Sequence, residues 1–130
     1  MKPPYCSEIP AEALETIAGQ GGLDGIVSAL PDDVIIARVR AFHRACADVC
    51  RVKIIEMLRV QPLCVCIIRE ALGISKSKLS YHLRIILETG MITGTAKGTW
   101  IVYELTEYGM FCSSVNAKIG LYPVGQGNDE

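Results

Sequence analysis

A mostly α-helical chain with one small β-hairpin is expected from this sequence, on three grounds. Apolar residues recur at helical spacing in several segments, each bounded by capping residues or glycine. Only residues 91–96 and 99–105 are β-prone, and they bracket a Lys97-Gly98 turn. The chain has 130 residues, half of them hydrophobic, which suffices for one compact core and falls short of two ordinary ones.

Residues 1–9 read as an arm. Pro10 opens a short helix through Ala18, which Gly19, Gly21 and Gly22 end. These glycines lack the Lys-Ser/Thr of a phosphate loop, so they make a turn and not a nucleotide site. Leu23 to Leu30 forms another short helix. Pro31-Asp32-Asp33 caps a longer one, from about Val34 to Cys46, with acidic residues at its positive end. Its Ile35, Val39 and Phe42 lie at helical spacing, with Arg38, Arg40 and Arg44 between them. The next helix runs from about Asp48 to Arg59, with Val52, Ile55 and Leu58 inward, and Gln61-Pro62 breaks it. A short helix from about Cys64 to Leu72 is stopped by Gly73. Ser75 caps the helix through Leu87, and Gly90 ends that one. After the hairpin, helix resumes from Glu107 to Ile119, and Gly120 closes it. Short helix, glycine turn, capped helix and hairpin, in that order, make a winged helix-turn-helix, whose second helix enters the DNA major groove.

The formal net charge of −1 argues at first against a nucleic-acid partner. Its distribution reverses that. Residues 1–37 carry one lysine against six acids, a net of −5; residues 38–97 carry eleven Arg/Lys against four acids, a net of +7; residues 98–130 carry one lysine against four acids, a net of −3. A basic middle between acidic ends binds a polyanion locally.

With Ser75 as cap and 100° per residue, Leu79, Leu83 and Ile86 share one face of the capped helix, with Leu87 near it. Ser77, Tyr81, Arg84 and Glu88 fall opposite, and Lys78 and Ser80 flank that outer face, with Lys76 at the helix start. Hydroxyls, a phenol and cations suit base edges and phosphates. Lys76, Ser77, Lys78, Ser80, Tyr81 and Arg84 are therefore the candidate DNA contacts, joined by Lys97 at the hairpin tip. The alternative is an ordinary amphipathic surface helix. His82, on the inner flank, reads as a packed, hydrogen-bonded residue.

Four segments carry a family resemblance. Ala47-Asp48-Val49-Cys50-Arg51-Val52-Lys53-Ile54-Ile55-Glu56-Met57-Leu58 is similar to the pattern A-D-x-x-R-x-x-I-L-x-x-L. Leu63-Cys64-Val65-Cys66 resembles L-C-V-C; residues 73–83, GISKSKLSYHL, resemble G-L-S-Q-S-x-V-S-x-H-L; and residues 98–105, GTWIVYEL, resemble G-R-W-V-x-Y-x-L. Together they resemble the ArsR/SmtB family of metalloregulatory repressors over about residues 34–118. The resemblance implies a homodimer on double-stranded palindromic operator DNA, released when an effector binds. It implies dimer contacts from the helices near 34–46 and 107–119. On this reading residues 1–30 are an N-terminal arm with short helices, 31–120 the DNA-binding and dimerisation domain, and 121–130 a flexible tail.

Six cysteines are about twice an ordinary share. Given the resemblance, Cys64 and Cys66 are the foremost effector ligands. In a regular helix they point about 200° apart, so sharing an ion requires the first turn to unwind. Pro62 and the helix start make that turn distortable, and a helix N-terminus favours thiolate. Soft thiolates select As(III), Sb(III), Cd(II), Pb(II), Zn(II) or Cu(I). The family's arsenic sensors often show C-V-C-D-L-C, but Arg69 stands where the third thiol would be. A third ligand must then come from elsewhere, and Cys6 on the arm is the candidate. Cys46, Cys50 and Cys112 read first as packing residues and second as redox or extra thiols; Cys50 stands where the family pattern usually has Thr. A thiol-redox switch pairing Cys112 with an earlier cysteine is the rival mechanism. The family's other metal site, with Asp, His, His and Glu on the last helix, is argued against because the two histidines, His43 and His82, lie elsewhere.

No signal-like or membrane-spanning segment is legible, so a cytoplasmic protein with reduced thiols is expected. No cysteine–histidine signature supports an enzyme, and no resident cofactor is expected beyond an effector ion such as As(III), Cd(II), Pb(II) or Zn(II).

Overall fold

A computed structural model of the chain describes residues 8–125. The described residues divide into two compact units, and the boundary, between Ile36 and Ala37, falls inside a helix. In the first unit, α1 (Ala11–Ile17) runs into a single 3-10 turn, Ala18–Gln20, and then α2 (Gly22–Ser28). Helix α3 (Asp33–Ala45) crosses the boundary; Val34 N–H donates to the Asp32 carboxylate at 2.9 Å, as the acidic cap predicts.

The second unit continues with α4 (Val49–Val60), β1 (Leu63–Cys64), α5 (Val65–Leu72), α6 (Lys76–Thr89), β2 (Ile92–Lys97), β3 (Trp100–Leu105) and α7 (Glu107–Leu121). The strands form one antiparallel sheet in the order β1-β3-β2. Across the hairpin Ile92 faces Leu105 and Lys97 faces Trp100; on the other side of β3, Leu63 faces Tyr103 and Cys64 faces Val102. This is a winged helix-turn-helix. No helix among the described residues is long and apolar enough to cross a membrane.

Each boundary has a local cause. Ser75 Oγ accepts from Lys78 N–H at 3.1 Å and starts α6. Gly73 ends α5 at φ 63°, a left-handed conformation that gives the tight turn into α6. Thr106 Oγ1 accepts from Gly109 N–H at 3.1 Å to cap α7, and donates to the Gly90 carbonyl at 2.6 Å, so the hairpin's exit is tied to the end of α6. Three expectations are corrected. Cys64 lies not in a helix but in β1, a two-residue strand that exists only because β3 pairs with it. Gly120 does not stop α7, which runs on to Leu121. On α6, Ile85 is buried and Leu87 is exposed, because the helix packs against α4 on one side and β2 on another, which widens and turns its buried arc.

The core gathers Ile54, Ile55, Ile68, Leu79, Ile86 and Met91, all essentially closed to solvent. One polar junction runs through it. Arg51 of α4 is buried; its Nε donates to the Ala45 carbonyl at 3.1 Å and its Nη2 to the Arg44 carbonyl at 3.0 Å. Its Nη1 lies 3.0 Å from Nδ1 of His82, which is only 3% exposed. A guanidinium can only donate, so Nδ1 is the acceptor and the neutral ring carries its proton on Nε2. Burial pushes the His82 pKa down; Asp48 opposes this, while Arg51 and Lys78 reinforce it. At α7, Ser113 Oγ donates to the Glu56 carboxylate at 3.0 Å.

Two predictions concern this core. A Cβ at Gly109 would run into the Met91 carbonyl oxygen, whereas one at Gly120 meets nothing within 4 Å. Gly109→Ala should destabilise by about 1–3 kcal/mol, and Gly120→Ala should be neutral or stabilising by up to about 1 kcal/mol; chemical denaturation measures both. Because the folded chain holds the His82 pKa below its ordinary value, the unfolded chain binds a proton that the folded one refuses. Stability should be level above pH 7 and fall as pH drops below about 6.5, until the folded His82 also titrates. Melting temperatures recorded from pH 7.5 to 5.5 in metal-free buffer should show this fall, flattened in His82→Gln.

Candidate nucleic-acid interface and thiol sites

Burial divides α6 lengthwise. Leu79, His82, Leu83, Ile85 and Ile86 face the core, while Lys76, Ser77, Lys78, Ser80, Tyr81, Arg84 and Glu88 are exposed. The candidate contacts of this helix thus share one solvent face. On it, the Arg84 guanidinium lies 5.7 Å from the Tyr81 ring centroid and 3.7 Å from the Glu88 carboxylate. Both contacts are solvent-exposed, so they hold Arg84 only weakly and leave it able to meet a phosphate. An open groove of about 900 Å³ lies beside this face, lined by Arg69, Glu70, Lys76, Ser80, Arg84 and Thr99 among others. Lys97 ends β2 at the hairpin tip, exposed and opposite Trp100, which is 60% exposed. Trp100 was not singled out in the sequence; a lone tryptophan beside a hairpin turn was the available signal.

The thiols separate by location. Cys64 is half-buried and is the N-cap of α5, with φ −74° and ψ 155° and no side-chain capping hydrogen bond. Cys66 is exposed in the first turn of that helix. The objection from i, i+2 spacing in a continuous helix therefore lapses, since Cys64 precedes the helix. Cys6 lies outside the described residues. Cys46, half-buried at the end of α3, accepts from Asn116 Nδ2 at 3.5 Å. Cys112 of α7 is buried: burial pushes its thiol pKa up, a hydrogen bond with Tyr108 pulls it down, and the neighbouring Cys46 raises it again. Tyr108 is itself raised by burial and by Cys112, and Arg38 lies 5.9 Å from its ring centroid. Cys46 and Cys112 thus come together with Tyr108 and Asn116, two residues with no distinguishing sequence signal.

Cys50 stands apart from the other thiols, in the first turn of α4. Asp48 caps that turn, its Oδ1 accepting from Cys50 N–H at 2.8 Å and Arg51 N–H at 3.3 Å. Burial tends to raise the Asp48 carboxyl pKa, but these two backbone donors, with His82 and Arg51 nearby, hold it below its ordinary value. Arg51 was missed as a structural group; an arginine at an inward helical position was its trace in the sequence.

Residues 48–93 match the family model described as bacterial regulatory protein, arsR family. The chain is 42% identical over 65 residues to the arsenical resistance operon repressor of Bacillus subtilis, covering 49% of this chain and 62% of that protein. It is 36% identical over 78 residues to the HTH-type transcriptional regulator NmtR of Mycobacterium tuberculosis, covering 60% of this chain and 65% of that one. Each alignment thus spans less than two thirds of the relative. Among solved structures, the homodimeric winged helix-turn-helix DNA-binding domain of Mb0332 from Mycobacterium bovis superposes with a TM-score of 0.63 at 20% identity, covering 71% of this chain and 89% of that one. The first two relatives are named as a repressor and a transcriptional regulator. The family motif, the two curated relatives and the fold agree: residues 48–93 of this chain are similar to the arsR family of bacterial regulatory proteins, and the fold is that of a winged helix-turn-helix domain.

Proposed function

We propose that the chain is a DNA-binding transcriptional repressor, acting in the cytoplasm as a homodimer on a palindromic operator and releasing it when a soft metal or metalloid binds cysteine thiolates. The observation that carries this reading is the division of α6: one side locked in the core, the other presenting Lys76, Ser77, Lys78, Ser80, Tyr81 and Arg84 to solvent beside a hairpin that carries Lys97. Backbone-directed cations set orientation while the shorter polar groups reach base edges. Exposed apolar residues support a second copy of the chain: Ile35 and Val39 on α3, and Phe111 and Ile119 on α7, are each more than half exposed. In this reading residues 31–120 bind DNA and dimerise, and residues 1–30 form an arm.

The effector site is assigned to Cys64 and Cys66, with Cys6 as a third ligand; As(III), Cd(II), Pb(II) and Zn(II) are the candidate effectors. The relative from Bacillus subtilis is named for arsenical resistance, which supports a thiophilic effector. Cys64 sits where β1 hands over to α5, with its backbone paired to Val102 and its thiol uncommitted to the cap. An ion drawing Cys66 toward Cys64 would pull on the first turn of α5, the first helix of the helix-turn-helix. A second reading, release through a disulfide formed by an oxidant, draws on the contact of Cys46 with α7, where Asn116, one turn from Cys112, donates to its thiol at 3.5 Å.

Arg84→Ala and Lys76→Ala should each weaken operator binding, with melting temperature unchanged within about 1 °C, since both side chains are exposed; a gel-shift titration with unaltered affinity in both would move the DNA face elsewhere. Adding As(III) or Cd(II) should release operator from the native protein and not from Cys64→Ser/Cys66→Ser. Equal release from both would refute the thiolate assignment, and release reversed by dithiothreitol alone, without metal, would favour the disulfide.

A further inference from the structure

We propose that Asp48, Cys50 and His82 form a second cation site, for a borderline divalent ion of the zinc class, and that filling it displaces Arg51 from His82. The site is distinct from the Cys64–Cys66 thiols. One donor atom from each of the three residues lies within 4.8 Å of the others, and this is the one such group of three among the described residues. The set offers a thiolate, an imidazole and a carboxylate, a mixture that suits zinc-class ions and leaves one position for water.

The independent sign of a ligand is His82 Nε2. It is buried without a hydrogen-bond partner. It lies 3.8 Å from Asp48 Oδ1, too far for a hydrogen bond. Two ligands of one tetrahedral ion with bonds of about 2.0–2.1 Å stand roughly 3.4 Å apart, so a shift of a few tenths of an ångström would bring these atoms into coordination. Asp48 Oδ1 is held by two backbone N–H groups, which fixes the carboxylate beside Nε2. The Asp48 side chain is 38% exposed, which provides the way in.

Arg51 links the site to the fold. Coordination takes the Nε2 lone pair, so the ring proton moves from Nε2 to Nδ1, and the Cys50 thiol releases its proton to solvent. Nothing is oxidised or reduced. Nδ1–H then confronts Arg51 Nη1–H, donor against donor, and the 3.0 Å contact must break. Arg51 keeps its hydrogen bonds to the carbonyls of Ala45 and Arg44, while His82, on the helix that carries the candidate DNA contacts, exchanges a guanidinium for an ion tied to the start of α4. The ion site stands without the DNA reading; only its effect on operator binding rests on that reading.

The test is titration of the full-length protein carrying Cys6→Ser/Cys64→Ser/Cys66→Ser with Co(II), followed by its visible absorption and its sulfur-to-cobalt charge-transfer band. The expected result is one Co(II) per chain with a four-coordinate spectrum, displaced by Zn(II). Adding Cys50→Thr, which restores the residue usual in the family pattern, should abolish the charge-transfer band. Asp48→Asn retains an oxygen for the helix cap and should lower the affinity at least tenfold. In the imidazole ¹⁵N spectrum, Zn(II) should convert His82 Nδ1 from an acceptor to a protonated nitrogen. A charge-transfer band that survives Cys50→Thr, or no Co(II) binding at all before Cys50 is changed, would overturn the site. Zn(II) binding that leaves Nδ1 an acceptor would overturn the displacement of Arg51. Operator affinity, measured separately with and without Zn(II), reports on the DNA reading alone.

Discussion

Arg51 carries a permanent charge into the place where three helices meet. A buried cation is costly unless its donors are taken up, and this one directs three of them to fixed partners. Two go to the carbonyls of Arg44 and Ala45, in the last turn of α3, where the helix dipole is negative. The third goes to His82 of α6. One side chain therefore closes the end of α3, begins in the first turn of α4, and holds α6 by its inner face. Asp48 completes the corner by capping α4 with the backbone N–H groups of Cys50 and Arg51 itself.

The presentation of α6 depends on that corner. With 100° between successive residues, a helix that turns His82 inward must turn Tyr81 and Arg84 outward. The same corner explains why His82 stays neutral. A second positive charge beside a buried guanidinium would be opposed by both burial and repulsion, and Asp48 offsets only part of this. A chain whose overall charge is −1 thus carries a locally basic block, because the acids are concentrated in its ends.

Much of this was legible in the residues. Ser75, Gly73, Gly90 and the Lys97-Gly98 turn mark their boundaries through local chemistry, and the structure keeps each within two residues. The outer face of α6 was equally readable, since helical periodicity is a property of consecutive residues. Elements that depend on distant partners were not. β1 is two residues long, too short for any alternation, and is a strand only because Tyr103 and Val102 lie opposite. Leu87 and Ile85 exchanged places because a second packing partner, β2, turned the buried arc.

The thiols show the same division. Their number, their soft chemistry and the Cys64-Val65-Cys66 spacing belong to the sequence, as do the capped helices, the hairpin and the basic middle block. Which thiols have neighbours was decided by the fold. Cys46, just past the end of α3, meets Asn116 of α7, and Cys50 meets His82 because Arg51 draws α6 onto the start of α4. Local hydrogen bonding and side-chain periodicity act over a few residues and can be read along the chain; convergence across 32 positions, from Cys50 to His82, exists only once buried apolar area and a buried charge have brought the helices together.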